Sequence, residues 1–263
     1  VCYYQFENNA NDTSGAGNGM NGTLGSPGTF STVEKIRGSY SYLGGSQARI
    51  HSLGSASDIG FMMTGIWTIS WWTKLISTSN QWVMGTHAAS GAKNWDIEYN
   101  ASRIRMKIYG LIGDTDVDYY SANIGFNDTS DWHHLVVTSD TDYLYWFCDG
   151  VADTPDAVSY TWPGDTAASC ALMLGNIPYT TCTTNTAHQS MTGYMDEVSF
   201  WDQTATAAEV ASLYNGGSPY DLSEGLQGGL PSGIKDVGGI AGDSIRTVGG
   251  IEAASIRSIM GIS

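Results

Sequence analysis

Basic residues are scarce in this chain: 11 Lys and Arg stand against 26 Asp and Glu, and the formal charge is −15. Such a surface repels polyanions at long range, so nucleic acid is not an expected partner. Charge of either sign is sparse too, at 14% of 263 residues. Ser, Thr, Asn and Gly must therefore finish the surface, a composition of short strands and many turns. No apolar run approaches the roughly 20 residues that cross a bilayer, and no basic-plus-apolar leader opens the sequence. The chain starts at Val1 rather than Met, as a processed chain or an excised fragment would. Cys2, Cys148, Cys170 and Cys182 form no CxxC pair and no zinc-ligand spacing, which argues against metal chelation through sulfur. Two disulfides can form, with Cys170 and Cys182 the nearest pair in sequence; buried free thiols are the alternative. G-x-S-x-G, P-loop and HExxH motifs are all absent.

Strand patterns are abundant. In Ile66 to Leu75, Trp67, Ile69 and Trp71 fall on one face against Thr68 and Ser70 on the other, the alternation of a half-buried strand. The runs 132–138, 143–148 and 194–201 behave alike, and Asp149-Gly150 predicts a tight reversal after the second. Trp82 to Met84, Trp95 to Tyr99 and Ile104 to Ile108 add short strands between Gly, Asn, Ser and Asp clusters. One stretch reads as helix: Ala205 to Tyr214, with Thr204 as N-cap and Gly216 as stop.

Several of these pieces together resemble a known family. Tyr3 to Gly15 followed by Asn21-Gly22-Thr23-Leu24, then Gly65 to Trp72, Trp132 to Thr138, Leu172 to Gly175, and Gly193 to Trp201 with the helix ending Leu213-Tyr214-Asn215-Gly216-Gly217 stand in order. This series is similar to the laminin G-like and concanavalin A-like jelly rolls. The resemblance implies an all-β fold: a two-sheet antiparallel jelly-roll sandwich with one short helix. Alternating apolar residues would fill the space between the sheets, with Trp67, Trp71, Trp132, Trp146 and Trp201 as core or cleft residues. A tryptophan left exposed could instead stack on the C–H face of a pyranose.

Glycosidases on related jelly rolls carry two carboxylates at i and i+2 or i and i+4 of one strand face. Asp96 and Glu98 have the first spacing, but the family's E-x-D-x-x-E pattern is absent, and the expectation is a protein that is not an enzyme. Asp196 and Glu197 are adjacent and would point to opposite faces unless a bulge intervenes. His133 and His134 alternate in the same way, predicting one packed and one exposed imidazole. The resemblance points to Ca²⁺ held by Asn11, Asp12 and Asp196; an Asx-turn at Asp12 and a backbone hydrogen bond at Asp196 are the alternatives. Asn11, Asn21, Asn100 and Asn127 sit in Asn-x-Ser/Thr sequons, a pattern that chance supplies in so polar a chain.

The last segment repeats every eleven residues. Ile234, Val237 and Ile240 recur as Ile245, Val248 and Ile251 and again as Ile256, Ile259 and Ile262. Glycines in every unit disfavour helix, at roughly 1 kcal/mol each, so short strand-and-turn units are expected. No unit can bury its aliphatic residues alone, so neighbouring units or chains must cover them. The organisation expected is a jelly roll over 1–222, a Gly-rich hinge over 223–233 and an oligomerising or anchoring repeat over 234–263. The nine aliphatic positions would form the contact. Ile/Gly tails behind a laminin G-like domain resemble those of tailed-phage virion proteins. The expected function is a structural or adhesion component of a virion or extracellular assembly. Its partners would be copies of itself, such as a trimer, other particle proteins, and surface glycans. The alternatives are a secreted carbohydrate-binding module and a glycoside hydrolase.

Overall fold

The computed structural model of the protein describes residues 2–14, 19–55, 57–86, 94–100, 103–110, 116–121, 128–164, 170–177, 190–220 and 222, and the backbone of 236–237, 240–241, 247–248 and 251–252. The first ten strands are β1 (Cys2–Tyr4), β2 (Thr23–Gly25), β3 (Thr29–Ser31), β4 (Ser41–Leu43), β5 (Arg49–Leu53), β6 (Ile66–Leu75), β7 (Gln81–Gly85), β8 (Asn94–Asn100), β9 (Arg103–Tyr109) and β10 (Asp116–Tyr120). There follow β11 (His133–Asp140), β12 (Tyr143–Cys148), β13 (Val151–Ala152), β14 (Asp156–Ala157), β15 (Leu172–Leu174), β16 (Gly193–Trp201) and the helix α1 (Ala207–Tyr214). One sheet runs β13-β12-β11-β6-β16-β4-β3, with β1 on β16 and β14 on β12; the other runs β10-β9-β8-β7-β15-β5-β2. All these pairings are antiparallel. The expected two-sheet sandwich is therefore present.

The alternation read in β6 sets the layers. Trp67, Ile69 and Trp71 enter the core between the sheets, where they join Leu135 and Val137 of β11, Trp95 and Ile97 of β8, and Phe200 of β16. Trp146 and Trp201 are buried as well, whereas Trp132 is half-buried beside Tyr194. Thr68, Ser70 and Trp72 face outward on the nine-stranded sheet, but that face is closed. Tyr3, Val136, Phe147 and Trp201 pack there under Ala205, Val210, Leu213 and Leu222. Trp72 stacks on Tyr214 at the end of the helix. Thr68 and Thr138 share a hydroxyl contact of 2.7 Å, and the Ala205 N–H donates to both, which ties the approach to α1 onto the sheet.

Two local expectations are refined and a third holds. The helix starts at Ala207 and is capped by Thr206, not Thr204. Glu209 stands three residues after Thr206 and completes a capping box, whereas Thr204 donates its hydroxyl to the Ser139 carbonyl. The stop is Asn215, which takes the left-handed conformation (φ 46°, ψ 40°) one residue before Gly216. The Asp149-Gly150 reversal is present, with both residues at positive φ (51° and 76°) and Cys148 opposite Val151, as a two-residue hairpin demands.

Cys2 and Cys148 carry free thiols and Cys170 is disulfide-bonded, so the four cysteines do not form two bridges. Cys182 lies outside the described residues. In the C-terminal segment, β17 (Asp236–Val237) pairs with β18 (Ile240–Ala241), and β19 (Thr247–Val248) with β20 (Ile251–Glu252). Val237 is placed opposite Ile240 and Val248 opposite Ile251, one repeat apart. Ile234, Ile245, Ile256, Ile259, Ile262 and the 223–233 hinge lie outside the described residues.

Candidate functional site: the polar face of the seven-stranded sheet

With one sheet covered by α1, the outward face of β7 to β10 is where polar chemistry collects. Strand alternation puts Trp95, Ile97 and Tyr99 of β8 into the core and turns Asn94, Asp96 and Glu98 to the opposite face of the sheet, where all three are still buried. On β9 the same rule sends Ile104, Met106 and Ile108 in and Arg105, Lys107 and Tyr109 out. Antiparallel register then sets opposite charges side by side. Trp82, Glu98, Arg105 and Tyr120 form one cross-strand row, while Asp96, Lys107 and Asp118 form the next. Arg105 is ion-paired with Glu98, lies 3.8 Å from Asp118, and holds its guanidinium 5.2 Å above the Trp82 ring. Lys107 reaches Asp116 at 3.6 Å and lies 4.8 Å from the Tyr109 ring centroid. The result is a half-buried indole, with a guanidinium over one face and carboxylates beside it, groups able to stack on one face of a polyhydroxyl ligand and hydrogen-bond its rim.

Asp96 is fully buried, and Asn94, Glu98 and Tyr109 beside it are buried as well. Tyr109 donates its phenol to Asp96 Oδ2 at 2.7 Å. Burial pushes the carboxyl up to about 7, against the lowering effect of the Tyr109 bond and of Arg105. Its ordinary value is near 4, so between about pH 4 and 7 the folded chain holds a proton that the unfolded chain has lost. Stability from this group therefore falls as pH rises across that window. Asp96→Asn keeps an oxygen for Tyr109 and cannot ionise. Urea unfolding at pH 4.5 and 7.5 is expected to show a shallower loss in the variant; an identical slope would assign the pH dependence elsewhere.

The structure distributes the other predicted site residues differently. Asp12 Oδ1 accepts from Ser14 N at 2.9 Å, an Asx-turn, and from Tyr3 N at 3.1 Å. Asp12 N in turn donates to Asn21 Oδ1, while Asn11 N donates to Asn9 Oδ1. Asp196 is buried in β16 and accepts from the backbone N–H groups of Ile36, Arg37 and Glu197. Burial holds its carboxyl up near 8. Asp12 thus engages N–H groups of β1 and of its own loop, and Asp196 those of residues 36 and 37 and of β16. A bulge does occur at this point: register slips between Asp196 and Ser199, and Glu197 takes φ 50°. Glu197 is buried and accepts the Tyr3 phenol, fixing β1 rather than pairing with Asp196.

The histidines separate as alternation requires. His134 is buried between Trp72 and Tyr214 with its Nε2 2.8 Å from Ser70 Oγ, and burial lowers its pKa to about 3. His133 is half-buried instead of exposed, because Asp149 and Asp128 face its two ring nitrogens at 2.8 and 2.9 Å. Sequence reading passed over Trp82, Arg105 and Lys107 as site residues. The available signal was the i, i+2 charge in Arg103-Ile104-Arg105-Met106-Lys107 and Asp116-Val117-Asp118.

A two-sheet antiparallel sandwich, backed by one helix and polar along one sheet face, defines a jelly roll of the concanavalin A type. The chain belongs to the concanavalin A-like lectin/glucanases superfamily, whose family model matches residues 44–211. Among solved structures it is similar to domain 4 of AbnA, an extracellular GH43 arabinanase from Geobacillus stearothermophilus, solved in complex with arabinotriose. That likeness has 17% identity and a TM-score of 0.59, and covers 81% of this chain and 97% of that one. It is similar also to the binding domain of botulinum neurotoxin serotype D, at 12% identity and TM-score 0.57, over 83% of this chain and 55% of that one. For the serotype G binding domain the values are 13%, 0.54, 81% and 50%. The chain spans about half the length of these neurotoxin domains, and at such identities the likeness is one of fold. No curated protein matches the chain in sequence. No helix among the described residues is long and apolar enough to cross a membrane.

Proposed function

We propose that this chain is a non-enzymatic adhesion component of a virion or other extracellular assembly. Its jelly roll grips a glycan across β7 to β10, and its C-terminal repeat joins copies of the chain, as a trimer or another homo-oligomer, or docks onto particle proteins. The observation that carries the glycan reading is the row of Trp82, Glu98, Arg105 and Tyr120, an aromatic plate flanked by fixed charges. The arabinotriose complex of AbnA domain 4 lends support from a chain of similar fold. Hydrolysis is disfavoured on geometric grounds. Asp96 has no exposed surface with which to reach a glycosidic oxygen, Glu98 is tied to Arg105, and in the sequence Ala101 occupies the place of the pattern's third carboxylate.

Glycan-array screening of the intact chain tests the binding, with reducing-sugar release measured on every hit. Retention without release is expected; turnover that disappears in Asp96→Asn would replace this reading with a glycanase. The array is run with Ca²⁺ and with chelator, because Asn11, Asp12 and Asp196 are the proposed calcium ligands. Equal retention in both arms removes calcium from the proposal.

Assembly is tested by light scattering on the intact chain beside a chain ending at Gly229. A defined oligomer for the first and a monomer for the second is expected. Two monomers that both bind glycan would favour a secreted carbohydrate-binding module.

A further inference from the structure

On the nine-stranded sheet, away from the polar face, the hairpin of β11 and β12 brings together residues that are 15 and 16 positions apart. His133 opens β11, Cys148 closes β12, and Asp149 begins the tight turn. Each offers one ligand atom, and the three atoms lie within 4.8 Å of one another. We propose that His133, Cys148 and Asp149 form a binding site for a borderline-soft divalent cation, Zn²⁺ above all.

The donor set selects the ion. One imidazole nitrogen, one sulfur and one carboxylate oxygen suit Zn²⁺, whereas Ca²⁺ and Mg²⁺ demand oxygen alone. The orienting contacts of a metal site are also in place. Nδ1 of His133 faces Asp149 Oδ2 at 2.8 Å, while Nε2 is held by Asp128 Oδ2 at 2.9 Å, leaving Nδ1 as the metal-facing nitrogen. A carboxylate on the far nitrogen of a ligating histidine fixes the ring and raises its basicity. Asp149 is oriented in the same manner, since its Oδ1 accepts from His134 N at 2.9 Å and leaves Oδ2 toward the cluster. Partial burial of His133, Cys148 and Asp149 limits competition from water without sealing the site.

Binding replaces two protons, one from the His133 imidazolium and one from the Cys148 thiol, with one Zn²⁺; the Asp149 carboxylate enters already ionised. Three protein ligands leave a fourth tetrahedral position for water or for an oxygen or nitrogen donor of a partner. In the absence of metal, the protonated ring bridges Asp128 and Asp149 instead.

The test uses the full-length chain with Co²⁺ as a spectroscopic substitute and with Zn²⁺ itself. One metal per chain is expected, with a thiolate-to-cobalt charge-transfer band, and Zn²⁺ should protect Cys148 from alkylation. Cys2, the other free thiol among the described residues, is buried in the core and serves as the internal control. Cys148→Ser should remove the band. Asp128→Asn, which touches no proposed ligand atom on the metal side, should keep one metal per chain and weaken affinity by about 10- to 100-fold. His133→Gln provides a second ligand variant should Cys148→Ser fold poorly. Absence of stoichiometric metal, a cobalt spectrum without the thiolate band, or unchanged affinity in both ligand variants would overturn the proposal.

Discussion

Gly85→Ala is expected to lower stability by about 3 kcal/mol and to take the polar face with it. Gly85 lies opposite Asp96 where β7 meets β8. A Cβ there would stand 2.6 Å from the Trp95 carbonyl oxygen, 2.8 Å from Asp96 Cα and 2.9 Å from Asp96 Cβ. The first two contacts are backbone, so no rotamer change relieves them, and the two strands must move apart. The sheet is pinned on both sides of this point by β15 and β9, which makes the displacement costly. Gly45→Ala is the matched control, because its added Cβ meets nothing within 4 Å. It should change stability by less than about 0.5 kcal/mol. Urea unfolding of both variants decides the matter: equal midpoints would mean that β7 and β8 do not approach as closely as described.

The same strands show what sequence can and cannot disclose. Period-two alternation in Ile66 to Leu75 located β6 and sent Trp67, Ile69 and Trp71 to the core, but the expected half-buried strand is buried on both faces, because the segment around α1 covers Thr68, Ser70 and Trp72. Asp149-Gly150 disclosed its turn through the left-handed conformation that such a hairpin requires. The candidate site resisted reading for a different reason. Asp96 and Glu98 were visible as an i, i+2 pair, but their chemistry depends on Arg105, Lys107 and Tyr109 across the β8–β9 register. Register is a property of two segments and is not written in either one. Burial of Asp96 is likewise a tertiary fact, and it turns a nominal catalytic carboxylate into one with no surface to offer. The bulge at Glu197 was posed as a condition and could not be decided from the tripeptide around it. His133 and Cys148 lacked any motif spacing because a hairpin, rather than a local loop, brings them together.

Trp82→Ala is expected to weaken glycan retention by more than about 30-fold while leaving the fold in place. Large aromatics at the centre of a binding surface commonly carry about 2 kcal/mol or more, which corresponds to that factor. The indole is only half-buried, and within the fold it supports the Arg105 guanidinium, a contact of about 0.5–1 kcal/mol at an exposed site. Stability should therefore fall far less than affinity. Trp82→Phe keeps a flat apolar face and should retain part of the binding. Tyr143→Ala is the informative comparison, since Tyr143 is 42% exposed and belongs to the nine-stranded sheet. Isothermal titration with a glycan from the array should separate the two sheets. Loss at Trp82 with full retention at Tyr143 places the ligand on the seven-stranded sheet, whereas the reverse would move it to the rim of the helix-covered sheet. The first outcome follows from how the fold closes. Tyr3, Val136, Phe147 and Trp201 bring the helix down on one sheet, which leaves the acid–base rows of β8 to β10, with Trp82 in the first of them, as the surface proposed to meet a hydroxyl-rich partner.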